Sequence, residues 1–282
     1  MNMYSESLVE GYGQTFSIDN ILFEHKTSHQ HLVIFENKWF GRVMALDGII
    51  QTTEKDEFIY HEMLTHVPVL AHGNVKNVLI IGGGDGGTLR ELTKHQSIER
   101  ITLVEIDRSV IETCRKLLPK HSDGAFDDHR LKLVIDDGMN FIRNTGQNFD
   151  LIISDCTDPT GPGKVLFSTA FYQACKERLE ASGVFVAQNG VPFFQPEELV
   201  TSSRKLRALY TDSSFYGVAV PTYVGGLMTL AWATENPALR KVPMEELTKR
   251  YQSSAIETHY YSPEAHRSAF SLPGYINNLI EY

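Results

Sequence analysis

The sequence predicts an α/β protein in which a small N-terminal β domain (1–60) precedes a Rossmann-like, doubly wound domain (61–282). Three observations lead to this fold class. An apolar run at 78–81 enters a turn with five glycines and one aspartate, and residues of helical character follow it. Further apolar runs alternate with helical segments, and each run ends in polar residues. The first 53 residues instead contain short strand-like runs.

The N-terminal region is predicted to form a small sheet. Its apolar runs of strand length lie at 21–23, 32–35 and 42–46. Asp47-Gly48 is typical of a tight hairpin turn and leads into a further strand at 49–51. Because such a sheet leaves strand edges and apolar surface exposed in a monomer, we expect a homodimer.

A helix is predicted to connect the two regions. Residues 53–56 resemble a helix N-cap, and apolar residues then recur at helical spacing until Pro68. His61 and His66 on this helix resemble part of a zinc-protease motif. They are five residues apart instead of four and diverge around the helix, so we exclude a metal site there.

The glycine turn predicts a site for a nucleoside. Residues 78–81 have no polar alternation, which indicates a strand buried on both faces. The glycines allow a ligand to lie against bare peptide, and the helix that follows directs free N–H groups toward it. An acidic residue about 20 positions beyond such a turn commonly binds ribose hydroxyls. Glu105, after the strand at 101–104, is the candidate.

Asp85 is the unusual residue of the turn. A site for pyrophosphate would not contain a carboxylate at this position, since two like charges in a partly dry pocket repel each other. A cationic ligand is therefore favoured.

Later strands also end in polar residues. They are expected at 131–135, 149–153 and 184–187, with helices at about 168–180 and 196–209 and an antiparallel pair at 215–220 and 227–233. In an open parallel sheet the carboxyl ends of the strands form the ligand crevice.

Five carboxylates are expected in this crevice, with two tyrosines and an amide nearby: Asp85, Glu105, Asp137, Asp155 and Asp158, with Tyr60, Gln188 and Tyr223. If one carboxylate binds ribose and one binds adenine, three remain to hold a hard metal ion or to bind and deprotonate amines. Amines are favoured because a nucleoside offers no phosphate for a metal to bridge. An alkyl ammonium, with a pKa near 10, reacts as a nucleophile only after it loses a proton.

Composition narrows the class of protein. The chain has 282 residues, of which 42% are hydrophobic and 22% charged, and no apolar run reaches the length of a membrane span. The net charge of −9 argues against nucleic-acid binding and favours a cationic small molecule. Three dispersed cysteines indicate reduced thiols, and we expect a cytoplasmic protein that binds no membrane. Neither a P-loop nor a G-x-S-x-G elbow occurs.

Four segments together resemble the spermidine synthase family. They lie at 46–62, 80–87, 104–107 and 154–162, in the family's order. The resemblance implies a Rossmann-like fold of the AdoMet-methyltransferase type. It also implies transfer of the aminopropyl group of decarboxylated S-adenosylmethionine to putrescine, giving spermidine and 5′-methylthioadenosine. The donor would be a co-substrate, so no cofactor and no metal are expected, and the protein would be a homodimer or homotetramer.

The resemblance also implies a role for individual residues. Asp155 would deprotonate the attacking amine. The residues that would bind polyamine, or the aminopropyl ammonium in the case of Asp85, are Tyr60, His61, Asp85, Asp155, Asp158, Gln188 and Tyr223. Those that would bind the nucleoside are Gln30, Glu105, Asp137, Gly138 and Pro162. At Cys156 and Val224 this sequence departs from the residues that are common in the family. These two departures bear on which amine would be the acceptor.

Three other functions are weighed against this interpretation. An aminopropyltransferase with cadaverine or spermidine as acceptor stays open, because pocket depth is not readable from sequence. Asp85 disfavours an AdoMet-dependent methyltransferase, since it would repel the methionine carboxylate. Asp155 disfavours a polyamine-binding protein without catalytic activity.

Overall fold

The computed structural model describes residues 2–159 and 161–281, with the backbone alone at Pro162. The strands are β1 Asn2–Val9, β2 Tyr12–Ile18, β3 Asn20–Lys26, β4 His31–Asn37, β5 Gly41–Leu46, β6 Ile49–Thr53, β7 Asn77–Gly82, β8 Arg100–Glu105, β9 Leu131–Ile135, β10 Phe149–Asp155, β11 Leu179–Gln188, β12 Asp212–Ala219 and β13 Leu227–Thr234. The α-helices are α1 Glu57–His72, α2 Gly87–Thr93, α3 Arg108–Leu117, α4 Pro119–Ser122, α5 Gly138–Asn144, α6 Thr169–Arg178, α7 Pro196–Leu209, α8 Met244–Ser254, α9 Pro263–Ala269 and α10 Gly274–Glu281. Short 3₁₀ helices lie at Ala125–Asp127, Gly161–Phe167 and Leu239–Lys241.

The largest sheet contains seven strands in the order β12-β13-β11-β10-β7-β8-β9. The five strands from β11 to β9 are parallel, and β13 and β12 extend the sheet antiparallel at one edge. From β7 the chain proceeds outward through β8 and β9, whereas β10 and β11 lie on its other side. The connections therefore diverge between β7 and β10, and a crevice opens at the carboxyl ends of these strands. This is the doubly wound architecture that the sequence predicts.

Strand β7 shows why the central strands are continuously apolar. Val78 and Ile80 join one hydrophobic cluster, and Leu79 and Ile81 join a second cluster on the other face of the sheet. Because both faces are covered, a polar residue at any of these positions would lie in a core. The predicted strand at 78–81 is confirmed.

The N-terminal region contains a four-stranded sheet, β3-β4-β5-β6, and a two-stranded hairpin, β1-β2. The predicted turn at Asp47-Gly48 is confirmed, and both residues have positive φ, 49° and 90°, as the tight hairpin requires. Sequence reasoning missed the β1-β2 hairpin. Only one residue of each strand is buried and many of the others are polar, so the strands carry little hydrophobic pattern. The predicted division between residues 60 and 61 falls inside α1 and stays a prediction.

Helix α1 begins where the sequence indicates and extends beyond the apolar pattern at 58–67. The helix continues through Pro68 to His72, and Gly73 ends it in the left-handed conformation. A proline inside a helix removes one backbone hydrogen bond. Here all residues from Ile59 to Ala71 are buried, so packing on every side compensates for that loss.

None of the helices among the described residues has both the length and the apolar character needed to cross a membrane.

Glu62 on α1 binds the backbone of the C-terminal segment 259–261. The side chain is fully buried and accepts hydrogen bonds from the backbone N–H groups of His259, Tyr260 and Tyr261, at 2.7–2.8 Å. A carboxylate that receives three N–H donors can remain in the interior, because the donors replace its hydration. The segment between α8 and α9 is thus held against the helix that carries Tyr60 and His61.

We expect Glu62→Ala to lower the free energy of unfolding by about 3 kcal/mol, because it leaves three backbone donors, of which that of Tyr261 is buried, without an acceptor. Urea unfolding monitored by circular dichroism measures the change. Glu257→Ala, which truncates an exposed side chain in the same region, should change stability by less than about 0.5 kcal/mol. Equal effects of the two substitutions would contradict the anchoring role of Glu62.

Candidate active site

A cavity of about 560 Å³ lies at the carboxyl ends of the central strands and is closed on one side by the N-terminal sheets. Its volume is typical of small-molecule sites. The cavity brings together eleven of the residues that the sequence predicts for the site: Gln30, Tyr60, His61, Asp85, Glu105, Asp137, Gly138, Asp155, Asp158, Gln188 and Tyr223. The side chain of Pro162 lies outside the described part of the chain, and Cys156 and Val224 also line the cavity.

The lining is negatively charged. It contains seven carboxylates, at Glu6, Asp47, Asp85, Glu105, Asp137, Asp155 and Asp158. Among the described lining residues there is no lysine or arginine to balance them. Such a field attracts cations and repels anions.

The glycine turn lies directly against Asp155. Gly82 and Gly83 have positive φ, and the N–H of Gly83 donates to the carbonyl oxygen of Asp155 at 2.8 Å. A β-carbon at Gly82 would lie 2.0 Å from that oxygen, so a side chain is excluded there. The glycines are thus needed for the close approach of the end of β7 to the end of β10.

Asp155 is held by two hydroxyl groups. The phenol of Tyr60 donates to Oδ1 at 2.7 Å, and Thr88 Oγ1 donates to Oδ2 at 2.6 Å. Burial raises the pKa of Asp155, and the nearby charge of Asp85 raises it further. A carboxylate with a raised pKa is a stronger base when ionised. Sequence reasoning missed Thr88, although its place in the first turn after the glycines was a usable signal.

Asp85 belongs to a chain of alternating charges. Its Oδ1 accepts the N–H of Gly87 at 2.9 Å, and its Oδ2 lies 3.4 Å from His61 Nε2. His61 Nδ1 lies 2.5 Å from Glu57, and both carboxylate oxygens of Glu57 accept from Arg90 at 2.9 Å. Sequence reasoning missed Glu57 and Arg90, which only the packing of α1 on α2 brings together.

The protonation of this chain follows from its neighbours. Burial alone would lower the pKa of His61, but the carboxylates of Asp85 and Glu57 outweigh burial and hold it well above 6.5. Burial would raise the pKa of Asp85, and the charge of His61 reverses that effect and lowers it. His61 is therefore an imidazolium between two carboxylates at neutral pH.

Asp158 is oriented by two amides at the other end of the cavity. Gln195 Nε2 donates to its Oδ2 at 2.7 Å, and Gln188 Nε2 lies 3.4 Å from its Oδ1. Burial raises the pKa of Asp158. Tyr223 stands opposite, with its hydroxyl donating to the carbonyl of Gln51 at 2.7 Å. Gln195 and its contact were missed, because nothing in the loop sequence distinguishes it.

Glu6 adds a carboxylate from the N-terminal hairpin to the cavity wall. It accepts from the backbone N–H of Ile50 and from the amide of Gln14. Burial raises its pKa. The position carries no motif, and the sequence gives no signal for it.

Glu105 lies on the other side of the glycine turn. It accepts the N–H of Asp107 at 2.9 Å, and a β-carbon on Gly84 would lie 2.9 Å from its Oε2. Burial raises its pKa from 4.5 to about 7. Gln30 reaches this region from the N-terminal sheet, where its amide lies 3.4 Å from Asp107.

Asp137 and Gly138 form the start of α5. Asp137 caps the helix by accepting the N–H of Asn140 at 2.8 Å, and Gly138 lies so close to Ile81 that a β-carbon would be 2.4 Å from its Cγ2. Bare backbone and a helix N-terminus thus face the cavity next to Glu105. In the described part of the chain, no three His, Cys, Asp or Glu side chains are arranged to hold a metal ion.

Comparison with known proteins identifies the family of this chain. Residues 57–243 match the spermine/spermidine synthase domain, and residues 3–54 match the spermidine synthase tetramerisation domain. The chain belongs to the spermine/spermidine synthase family. As a member of this family it is an aminopropyltransferase of polyamine biosynthesis, which confirms the predicted enzyme class.

Individual members are similar over almost their whole length. Polyamine aminopropyltransferase 1 of Pseudomonas aeruginosa is 60% identical over 280 residues, which cover 99% of this chain and 98% of that one. Polyamine aminopropyltransferase of Shigella boydii serotype 18 is 57% identical over 277 residues, which cover 98% of this chain and 96% of that one. Two solved spermidine synthases, each 38% identical, confirm the family fold. One of them, in complex with the transition-state analogue AdoDATO, matches with a TM-score of 0.94 over 99% of this chain and 95% of that one. The other, from Thermotoga maritima, matches with a TM-score of 0.93 over 100% of this chain and 94% of that one.

The raised pKa of Glu105 predicts a pH effect on stability. The unfolded chain loses this proton near pH 4.5 and the folded chain near pH 7, so the contribution of Glu105 to stability is full below pH 4.5 and declines as the pH rises through 7. The difference corresponds to roughly 3 kcal/mol. We expect Glu105→Gln, relative to the wild type, to become progressively more stable between pH 5 and 8, measured as unfolding midpoints in urea.

A matched control is Glu112→Gln, which replaces a carboxylate on the exposed face of α3. It should show no comparable trend with pH. A stability difference between Glu105→Gln and the wild type that stays constant from pH 5 to 8 would contradict the assigned protonation of Glu105.

Proposed function

We propose that this enzyme transfers the aminopropyl group of decarboxylated S-adenosylmethionine to putrescine, giving spermidine and 5′-methylthioadenosine. The observation that carries the proposal is a cavity lined by seven carboxylates, with a nucleoside-type glycine turn at one side. One of these carboxylates, Asp155, is held in place by two hydroxyl donors. A sulfonium donor and a diamine acceptor are both cations, and the lining attracts cations. The complex of a family member with AdoDATO supports the same donor.

The donor would bind along the glycine turn. Glu105 would accept hydrogen bonds from the ribose hydroxyls, and Gln30, Asp137, Gly138 and Pro162 would contact the nucleoside. Its aminopropyl chain would extend toward the turn, where Asp85 would bind the ammonium.

Asp85 would also select against intact S-adenosylmethionine. The intact donor carries a carboxylate in addition to its ammonium, and that carboxylate would meet the charge of Asp85 in a partly dry site. The decarboxylated donor presents only the cation. Selection thus combines attraction of one donor with repulsion of the other.

Putrescine would lie between Asp155 and Asp158. Asp158, oriented by Gln188, would bind the distal ammonium. Tyr60 and Tyr223, whose rings pack edge to face with centroids 6.0 Å apart, would together form one side of the site for the butyl chain, and His61 would complete the wall. Holding both amines fixes the attacking nitrogen in line with the carbon that bears sulfur.

Asp155 would act as the base. It would accept a proton from the near ammonium, whose nitrogen lone pair would then form a bond to the aminopropyl carbon. The carbon–sulfur bond would break with its electron pair moving to sulfur, so the sulfonium would become the neutral thioether of methylthioadenosine. Tyr60 and Thr88 would keep the carboxylate pointed at the amine during this step.

We also propose that the enzyme self-associates through its N-terminal region. Large apolar side chains are exposed there at Met3, Tyr12, Ile21 and Trp39. The match of residues 3–54 to a tetramerisation domain supports the same surface. Light scattering on the purified protein distinguishes a homodimer from a homotetramer.

The reaction is tested by incubating the purified enzyme with putrescine and either donor. We expect methylthioadenosine and spermidine, detected by mass spectrometry, only from decarboxylated S-adenosylmethionine. Cadaverine and spermidine as alternative acceptors test the choice of amine. A methylated product from the intact donor would overturn the proposed reaction.

The role of Asp155 is tested by Asp155→Asn, which keeps the shape of the side chain and removes its basicity. We expect kcat to fall at least about 100-fold, while the Kd of the donor stays nearly unchanged. Asp158→Asn serves as the contrasting variant and should raise the KM for putrescine more than it lowers kcat. Unchanged turnover in Asp155→Asn would remove this residue from the role of base.

A further inference from the structure

The ammonium that Asp85 would bind and the proton on His61 compete for one carboxylate. His61 Nε2 lies 3.4 Å from Asp85 Oδ2, and only 2% of the residue is exposed. Its other nitrogen, Nδ1, is 2.5 Å from Glu57. Both protons of the imidazolium thus face carboxylates in the protein interior.

The charges of this cluster balance without a ligand. Asp85, Glu57 and Glu91 carry three negative charges, and His61, Arg90 and Lys94 carry three positive charges. Arg90 binds both oxygens of Glu57 and one of Glu91, and Lys94 binds the other oxygen of Glu91. An additional ammonium at Asp85 would place a second cation against this one carboxylate, in a part of the site that is largely closed to water. Two cations beside one carboxylate repel each other strongly in such surroundings.

We infer that the ammonium of the donor replaces the proton of His61, so that each donor molecule bound releases one proton to solvent. This inference rests on the proposed role of Asp85 as the binding site for the aminopropyl group. The ammonium takes the place of the imidazolium charge beside Asp85, so the total charge of the cluster does not change. No bond other than N–H of the imidazolium is broken.

Glu57 is a positioning residue in this exchange. A carboxylate accepts hydrogen bonds and donates none, so the neutral imidazole keeps its remaining proton on Nδ1, facing Glu57. The lone pair of Nε2 is then directed toward Asp85 and accepts a hydrogen bond from the incoming ammonium. Arg90 fixes Glu57, and the site acquires a second acceptor for the ligand.

The groups packed around His61 identify it as the source of the released proton. They are Glu57 and Tyr60 on α1, Asp85 in the glycine turn, Arg90 on α2, Asp155 on β10 and His121 on α4. His121 is the only other imidazole among them. Burial lowers its pKa, and its Nε2 is paired with Thr52 Oγ1 at 2.9 Å, so it is already neutral.

The test is isothermal titration calorimetry of decarboxylated S-adenosylmethionine, without acceptor, in buffers of different ionisation enthalpy near pH 7.5. We expect the wild type to release about one proton for each donor bound. Methylthioadenosine lacks the ammonium and should bind without release. The Kd of the donor, but not that of methylthioadenosine, should fall up to about tenfold for each pH unit of increase while His61 is protonated in the free enzyme.

His61→Gln removes the titrating group and retains hydrogen bonding, and it should bind the donor without proton release. Glu57→Gln should release less than the wild type, because a neutral amide no longer favours the imidazolium. His66→Gln is the matched control. His66 lies on the same helix, is equally buried and pairs with Glu91 at 2.9 Å, but it does not line the cavity, so its variant should release the proton as the wild type does.

Three results would overturn the inference: donor binding to the wild type without proton release, equal release with methylthioadenosine, or undiminished release in His61→Gln. The first measurement uses only the wild type, so it holds even if a variant does not fold. Each of these results can occur in an enzyme that still forms spermidine from the decarboxylated donor. Failure of the exchange is therefore distinguishable from failure of the proposed function, which is decided by the products.

Discussion

The site depends on the contact between the glycine turn and the end of β10. The N–H of Gly83 donates to the carbonyl of Asp155, and the space at Gly82 is too small for any side chain. Since the connections diverge between these two strands, their ends border the crevice from opposite sides. Asp85 lies three residues beyond the end of one strand and Asp155 ends the other, so this backbone contact holds the two carboxylates on the same stretch of the crevice. They are the group proposed to bind one cation and the group proposed to deprotonate another.

Bringing these carboxylates together costs stability. Burial raises the pKa of Glu6, Glu105, Asp155 and Asp158, which means that each resists ionisation in the folded chain. The protein reduces the cost with hydroxyl and amide donors, such as Thr88 on Asp155 and Gln195 on Asp158, and the described part of the lining contains neither lysine nor arginine. Neutral donors hold a carboxylate in place and leave its charge available to a ligand.

The sequence was informative where chemistry follows directly from local pattern. Strands buried on both faces are apolar throughout, so the polar residues after them, such as Asp85 and Asp155, could be assigned to one edge of the sheet. The resemblance to a family added Gln30, which no periodicity indicates. Glu57, Arg90 and Gln195 could not be found, because their roles arise only when α2 packs on α1 and a loop folds over Asp158. The extension of α1 through Pro68 also depends on packing: local propensity disfavours a proline inside a helix, and burial of residues 59–71 overrides it.

Asp56 immediately precedes α1, yet its carboxylate does not cap the helix. It binds the N–H and hydroxyl of Thr222 at 2.9 and 2.7 Å, next to Tyr223. The helix that carries Tyr60 and the loop that carries Tyr223 are therefore joined behind the cavity. The edge-to-face contact of the two aromatic rings, whose centroids are 6.0 Å apart, is thus supported from behind the cavity, so substitution of either ring would remove an aromatic surface without separating the helix from the loop.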